Sequence, residues 1–159
     1  MIDGHQRLWI ERYEQKIFAL VLYLMGGSRD AVYDIAASAC ADALKASSPL
    51  EREDAFLVRL VRTAIEKSGD LKEADSPDDD SDLRDFPPEK RASLRMIKTA
   101  LRALPFDTRA LVLLRDQLHL PYRDIASVLS SSEKDVRIEI TQARIRLRKE
   151  VENILSHGG

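Results

Sequence analysis

The sequence predicts an all-α protein built from two small helical domains. Apolar residues recur at intervals of three and four along most of the chain, and few segments alternate with the period of two that is typical of strands. Glycine and proline are scarce, with six of each in 159 residues. Because 44% of the residues are hydrophobic, the chain can form a packed core.

Residues 1–68 are predicted to form a three-helix domain. Trp9, Tyr13, Ile17 and Leu20 lie on one face of a first helix over residues 6–25, which the Gly26-Gly27 pair should end. Further helices are predicted over residues 28–46, where Ser28 can cap the first turn, and over residues 51–67. Phe56 is expected to pack in the core, and Trp9 and Tyr13 are expected to pack in the core or between domains rather than to stack on bases.

Residues 69–88 are predicted to form an acidic, mobile linker. Gly69, Pro77, Pro87 and Pro88 accompany an acidic run at residues 78–82. Residues 66–90 contain 4 basic and 10 acidic side chains, and few apolar residues offset the entropy lost on ordering. The alternative of a weak calcium loop is disfavoured, because the run lacks the required spacing and glycine.

Residues 89–159 are predicted to form a helix-turn-helix domain. Helices over residues 104–114 and 121–129 precede a polar turn at residues 130–132 and a long helix over residues 133–154. Such a turn between two helices can place the second one in a DNA major groove. The basic charge is concentrated here, since residues 91–159 contain 13 basic and 8 acidic side chains.

Four basic residues of this domain are candidate DNA contacts, namely Arg123, Lys134, Arg137 and Arg144. Ser132 should cap the long helix, whose free backbone N–H groups suit a phosphate. Core positions along that helix are predicted at Val136, Ile140, Ala143 and Leu147. The competing interpretation is that the basic residues form only a solvated face.

No pattern in the sequence predicts an enzyme, a metal site or a cofactor. His5, His119 and His157 are isolated, and Cys40 is the only cysteine, which excludes an intrachain disulfide. Cys40 is expected to be an inert helix residue in a small apolar run. The longest apolar run, residues 17–25, is too short to cross a bilayer, and the N-terminus lacks the features of a signal peptide. The sequence therefore predicts a cytoplasmic protein without membrane insertion.

Several motifs, in this order, resemble those of bacterial RNA polymerase sigma factors of the small extracytoplasmic-function type. In the C-terminal half these are residues 104–105, 111–116, 122–129, Val136 and residues 143–148, which resemble the domain that reads the promoter −35 element. In the N-terminal half they are residues 30–35 and 56–62, which resemble the core-binding helix and the helix after it. The resemblance covers most of the chain outside the linker.

The resemblance implies a transcription initiation factor whose N-terminal domain binds RNA polymerase core and whose C-terminal domain binds promoter DNA. It implies a polymerase contact at Asp34, with Arg59 and Arg62 as further candidates on one helix face. Those two arginines could instead pair with Asp54 or Glu66. Control by an anti-sigma partner that clamps both domains is also implied, with the linker near the RNA exit path.

The chain departs from the family pattern at positions that meet polymerase and DNA. Ala37 and Ser38 stand where the family has a Gln-Glu pair, and Ile138 and Glu139 follow Arg137 where it often has polar or basic residues. A carboxylate near DNA is repelled by phosphate, although it can accept a hydrogen bond from the N4 amino group of cytosine. A sigma mimic that sequesters an anti-sigma protein without reading promoters is therefore an alternative, and a dimeric helix-turn-helix repressor is a third.

Overall fold

The structure, a computed structural model, describes residues 4–26, 29–70, 84 and 86–157, and it confirms the all-α prediction. No strand occurs within these ranges. The N-terminal helices are α1 (Gly4–Met25), α2 (Arg29–Ala46) and α3 (Glu53–Asp70). The C-terminal helices are α4 (Pro88–Ala103), α5 (Phe106–Val112), α6 (Tyr122–Leu129) and α7 (Glu133–His157), and α5 continues as a π-helical turn, Leu113–Gln117.

Helices α1, α2 and α3 pack against one another around a shared apolar core. Phe56 is fully buried, and its ring centroid lies 5.3 Å from that of Trp9, as the core prediction for these aromatics requires. Helix α2 contributes mainly alanines, which are small enough to let the neighbouring helices approach closely. The other buried residues of this bundle include Ile17, Leu20, Val21, Leu24, Ala36, Ala39, Ala43, Leu60 and Val61.

The predicted linker is shorter than expected at both ends, since α3 continues to Asp70 and α4 begins at Pro88. Gly69 therefore lies in a helix, and a Cβ atom built on it would be 3.5 Å from the ring of Phe106. Tertiary packing offsets the entropic cost of a glycine near this helix end. The predicted cap at Ser28 and the acidic run of the linker lie outside the described residues.

The two domains pack into one unit, an arrangement that the sequence left open. Helix α3 packs on α6, and α1 contacts α4, α5 and the π-helical turn. The buried apolar residues of both halves form one continuous cluster, which includes Leu24 of α1 and Leu114 of the π-helical turn. The helix-turn-helix is therefore positioned by the N-terminal domain.

Arg109 in α5 is the largest fully buried side chain, with 1% of its surface exposed. Its guanidinium donates to the backbone oxygens of Leu101 at 2.8 Å, Leu104 at 2.9 Å and Arg102 at 3.3 Å, at the end of α4. It also donates to the oxygen of Leu24, in the last turn of α1. Carbonyls at helix ends lack donors within their own helix. One arginine thus satisfies the ends of two helices in different domains.

Cys40 is half-buried on α2, and burial raises the pKa of its thiol to about 11, with a further contribution from the charge of Glu14. Because the thiolate is the nucleophile, a raised pKa lowers the reactive fraction, to about one in a thousand at pH 8. We expect slow modification by a maleimide at pH 8, with a rate that keeps rising above pH 9. The same reagent should react much faster with the guanidinium-unfolded chain, and equal rates would contradict the shift.

Candidate nucleic-acid interface

The turn between α6 and α7 has the geometry of a helix-turn-helix. Ser130 ends α6 in the left-handed conformation, with φ of 54° and ψ of 46°. The Ser131 amide then donates to the Ala126 oxygen at 2.9 Å. A residue other than glycine is uncommon in this conformation. Here the left-handed residue ends α6, and α7 begins three residues later. The predicted turn at residues 130–132 is confirmed.

Ser132 caps α7, as predicted. Its Oγ accepts from the backbone N–H of Asp135 at 3.1 Å, which satisfies one of the amides that a helix N-terminus leaves free. The predicted core positions of α7 are also confirmed, since Val136, Ile140 and Ala143 are buried and Leu147 packs on the core. The opposite face of α7 is therefore presented outward.

Arg137 is held at the start of α7 by two neighbours. Its Nη2 lies 3.3 Å from Oε1 of Glu133, one turn earlier, and its guanidinium carbon lies 4.4 Å from the ring centroid of Tyr122. Arg115 approaches the same ring at 4.2 Å. A guanidinium over an aromatic face is attracted by the ring quadrupole. Arg137 is thus oriented by the protein before any ligand arrives.

Arg144 is tied to the π-helical turn by a two-point contact with Asp116. Its Nε lies 3.2 Å from Oδ2, and its Nη2 donates to Oδ1. The hydrogen bond that Arg144 donates to Asp116 is the main reason why the pKa of Arg144 is raised. Since both side chains are exposed, this pair adds little stability and can exchange its carboxylate for a phosphate.

Arg123 is the most exposed of the three candidate DNA-binding arginines. Arg123 has 74% of its side chain exposed, and its Nε lies 3.8 Å from Oδ1 of Asp124. Lys134 is exposed in the first turn of α7. Arg137 packs on Tyr122, which precedes Arg123 in α6, so these two candidates lie near each other. Arg144 lies two turns beyond Arg137 along α7. The four residues remain predicted DNA contacts.

The three candidate polymerase residues lie in different environments. Asp34 is exposed on α2. Arg59 pairs with Glu51 and donates to the Ala43 oxygen at 2.8 Å, so that it joins α2 to α3. Neither Asp54 nor Glu66 is the observed partner of Arg59. Only Asp34 therefore has the exposure that a contact with a large partner requires.

Arg62 contacts the helix-turn-helix directly, which the sequence did not predict. From α3, its Nε donates to the Val128 oxygen at 3.3 Å, and its Nη2 donates to the Ser127 oxygen. Both carbonyls belong to the last turn of α6, where a cation is also favoured by the helix dipole. We call this contact, made by Arg62 with Ser127 and Val128, the interdomain clasp.

Sequence reasoning gave no role to Arg109, which lies in the core, and it assigned Arg62 to polymerase without predicting its contact with α6. For Arg109 a signal was present, because it is the only charged residue in the run from Thr108 to Leu114. For Arg62 no such signal exists, since its partners are backbone oxygens 65 and 66 residues away. A contact with a backbone oxygen cannot be predicted from the type of the residue that supplies the oxygen.

Within the part of the chain that the structure describes, no cluster of three or more His, Cys, Asp or Glu side chains could hold a metal ion. In the same residues, no helix combines the length and apolar character needed to cross a membrane.

Comparison with known proteins finds a similarity that includes this helix-turn-helix. Residues 94–147 match the family described as Sigma-70, region 4. The chain is also 26% identical over 168 aligned positions to the RNA polymerase sigma-H factor of Pseudomonas aeruginosa, with 93% of this chain and 86% of that protein covered.

A solved structure, that of CnrH in complex with the cytosolic domain of CnrY, has a similar fold. Its TM-score is 0.70 at 22% identity, over 94% of this chain and 91% of the other. At this identity the likeness establishes the fold alone. That fold extends over both domains.

Proposed function

We propose that this chain, a sigma-type protein of the extracytoplasmic-function class, is a transcription initiation factor that binds RNA polymerase core and promoter DNA. The observation that carries the proposal is the region 4 match over residues 94–147, which contains the capped helix-turn-helix. The protein would act by binding rather than by catalysis, and in the cytoplasm, where bacterial promoters are transcribed.

Promoter DNA would meet the outward face of α7 and the start of α6. Arg123 and Lys134 are accessible for phosphate contacts, which hold a protein in register on the duplex. Arg137 is already oriented by Tyr122, and Arg144 can leave Asp116 for a phosphate. The net positive charge of residues 91–159 favours this ligand.

RNA polymerase core would meet the N-terminal domain at the exposed side of α2, around Asp34. Arg59 is engaged within its own domain and would support the position of α3 rather than contact a partner. Arg62 would become available only when the interdomain clasp opens.

In the packed arrangement, the two domains lie too close together to contact both promoter elements at once. Elements centred near −35 and −10 are separated by about 25 base pairs, or about 85 Å of duplex at ~3.4 Å per base pair. By contrast, the longest helix, α7 with 25 residues, spans only about 37 Å, and α3 lies directly against α6. We therefore infer that the described arrangement is a closed form that separates on promoter binding.

An anti-sigma partner would favour the closed form. The structurally similar CnrH is bound to the cytosolic domain of CnrY, and we carry the expectation of such a protein partner to this chain. A partner that contacts both domains binds more tightly when they already lie together, because it then spends less free energy on ordering them. No observation favours the alternative of a sigma mimic over this function.

The proposal is tested by mixing the purified full chain with RNA polymerase core and measuring co-elution, with and without Asp34→Arg. We expect a stable complex that the substitution weakens, with Glu152→Arg on the far end of α7 as a control for added charge. Recovery of only a small partner from native lysate, together with no binding to core after that partner is stripped, would overturn it in favour of a mimic.

Glu139→Arg is expected to raise the affinity for promoter DNA by roughly tenfold at low salt, because it replaces a repelled charge with an attracted one. The salt dependence should steepen by about one phosphate contact. The measurement is a binding titration over several salt concentrations with the chain bound to polymerase core. Glu152→Arg makes the same charge change three to four turns later and should have little effect. Equal gains from both variants would contradict a DNA-facing first half of α7.

A further inference from the structure

We propose that Ile138 of α7 determines promoter specificity by contacting the 5-methyl group of a thymine in the major groove. This inference rests on the proposed function and names one part of the sequence that the helix-turn-helix would select. It is carried by three observations, namely the exposure of Ile138, its place on the outward face of α7, and the engagement of its neighbours Arg137 and Thr141 within the protein.

Ile138 lies where a recognition helix meets base edges. It is two residues from both Val136 and Ile140, and therefore about 200° around the helix from the buried core positions. Its position in the second turn is the part of such a helix that enters the groove. The side chain is 48% exposed, although an isoleucine gains nothing from contact with water.

Two polar residues beside Ile138, Arg137 and Thr141, already have partners within the protein. Arg137 contacts Glu133 and the ring of Tyr122, so that a two-point contact with a guanine would have to break both interactions. Thr141 Oγ1 donates to the Arg137 oxygen at 3.0 Å, which uses the only hydrogen of that hydroxyl. Ile138 is the exposed large apolar side chain in the first two turns of α7.

The chemistry of the major groove indicates which base Ile138 would contact. Among the four bases, thymine alone presents an apolar group there, its 5-methyl, whereas the other base edges present hydrogen-bond donors and acceptors. A buried isoleucine would leave such polar edges without partners. Lys134, one turn before Ile138, adds the positive charge that holds the phosphates on either side. With a thymine facing Ile138, the methyl group would contact the isoleucine and the neighbouring phosphates would face Lys134.

The test compares thymine with uracil, which lacks only the methyl group. Duplexes with a randomised segment are first selected for binding to the full chain on polymerase core. Each thymine of the selected sequence is then replaced by uracil, one at a time. We expect one position at which this replacement weakens binding about fourfold, the value for one buried methyl group. In the Ile138→Ala variant, the same replacement should change binding by less than about 1.5-fold.

Ile145→Ala is the matched control, because Ile145 is 47% exposed on the same face but lies about 10 Å further along α7. It should retain the full thymine-to-uracil effect. If a sequence is selected but no thymine position depends on Ile138, this inference fails while the proposed function stands. If no sequence is selected above core polymerase alone, the proposed function fails as well.

Discussion

Replacing Arg109 with alanine is expected to lower the free energy of unfolding by about 3–5 kcal/mol. The guanidinium is buried and donates to four backbone oxygens, three at the end of α4 and one in α1. Its removal would leave those oxygens without this donor and would open a cavity in the core. Chemical denaturation followed by circular dichroism measures the loss.

Arg109→Lys should recover only part of that stability, because one ammonium cannot reproduce the planar fork that reaches separate carbonyls. Arg123→Ala is the control, since that arginine is exposed and its loss should change stability by no more than about 0.5 kcal/mol. A loss below about 1 kcal/mol for Arg109→Ala would show that the buried contacts do not exist in solution.

Arg62→Ala is expected to shift the packed arrangement of the two domains toward open forms. The substitution removes the interdomain clasp, whose charge-assisted hydrogen bonds to Ser127 and Val128 are worth about 1.5–3 kcal/mol in a protein environment. Since this arginine is partly exposed, the lower value is the relevant one, and it would shift the equilibrium toward open forms roughly tenfold. Small-angle scattering should detect the change as a radius of gyration above the ~15 Å of a compact chain of this length.

Arg59→Ala is the matched control for the clasp. It removes an arginine from the same helix, but the lost contacts, with Glu51 and the Ala43 oxygen, lie within the N-terminal domain. We expect this variant to be less stable yet equally compact. If both variants remain compact, the apolar contacts between α3 and α6 hold the domains together without Arg62.

The sequence by itself was sufficient to predict the helices and the helix-turn-helix. The three-and-four spacing of apolar residues marks the face of each helix that becomes buried, and Val136, Ile140 and Ala143 are buried as that spacing predicts. Local signals placed the turn and the cap at Ser132, because capping uses side chains within three residues. The resemblance to sigma factors then supplied the order of the domains.

The tertiary structure alone decided how the domains meet and which basic residues are engaged. The clasp and the buried contacts of Arg109 join side chains to backbone oxygens as many as 85 residues away, and every residue type carries such an oxygen. Residue type did not decide exposure either, since Arg123 and Arg109 are both arginines, yet the structure leaves the first at the surface and buries the second. Residue type determines what a side chain can bind, whereas only packing determines which partners come within reach.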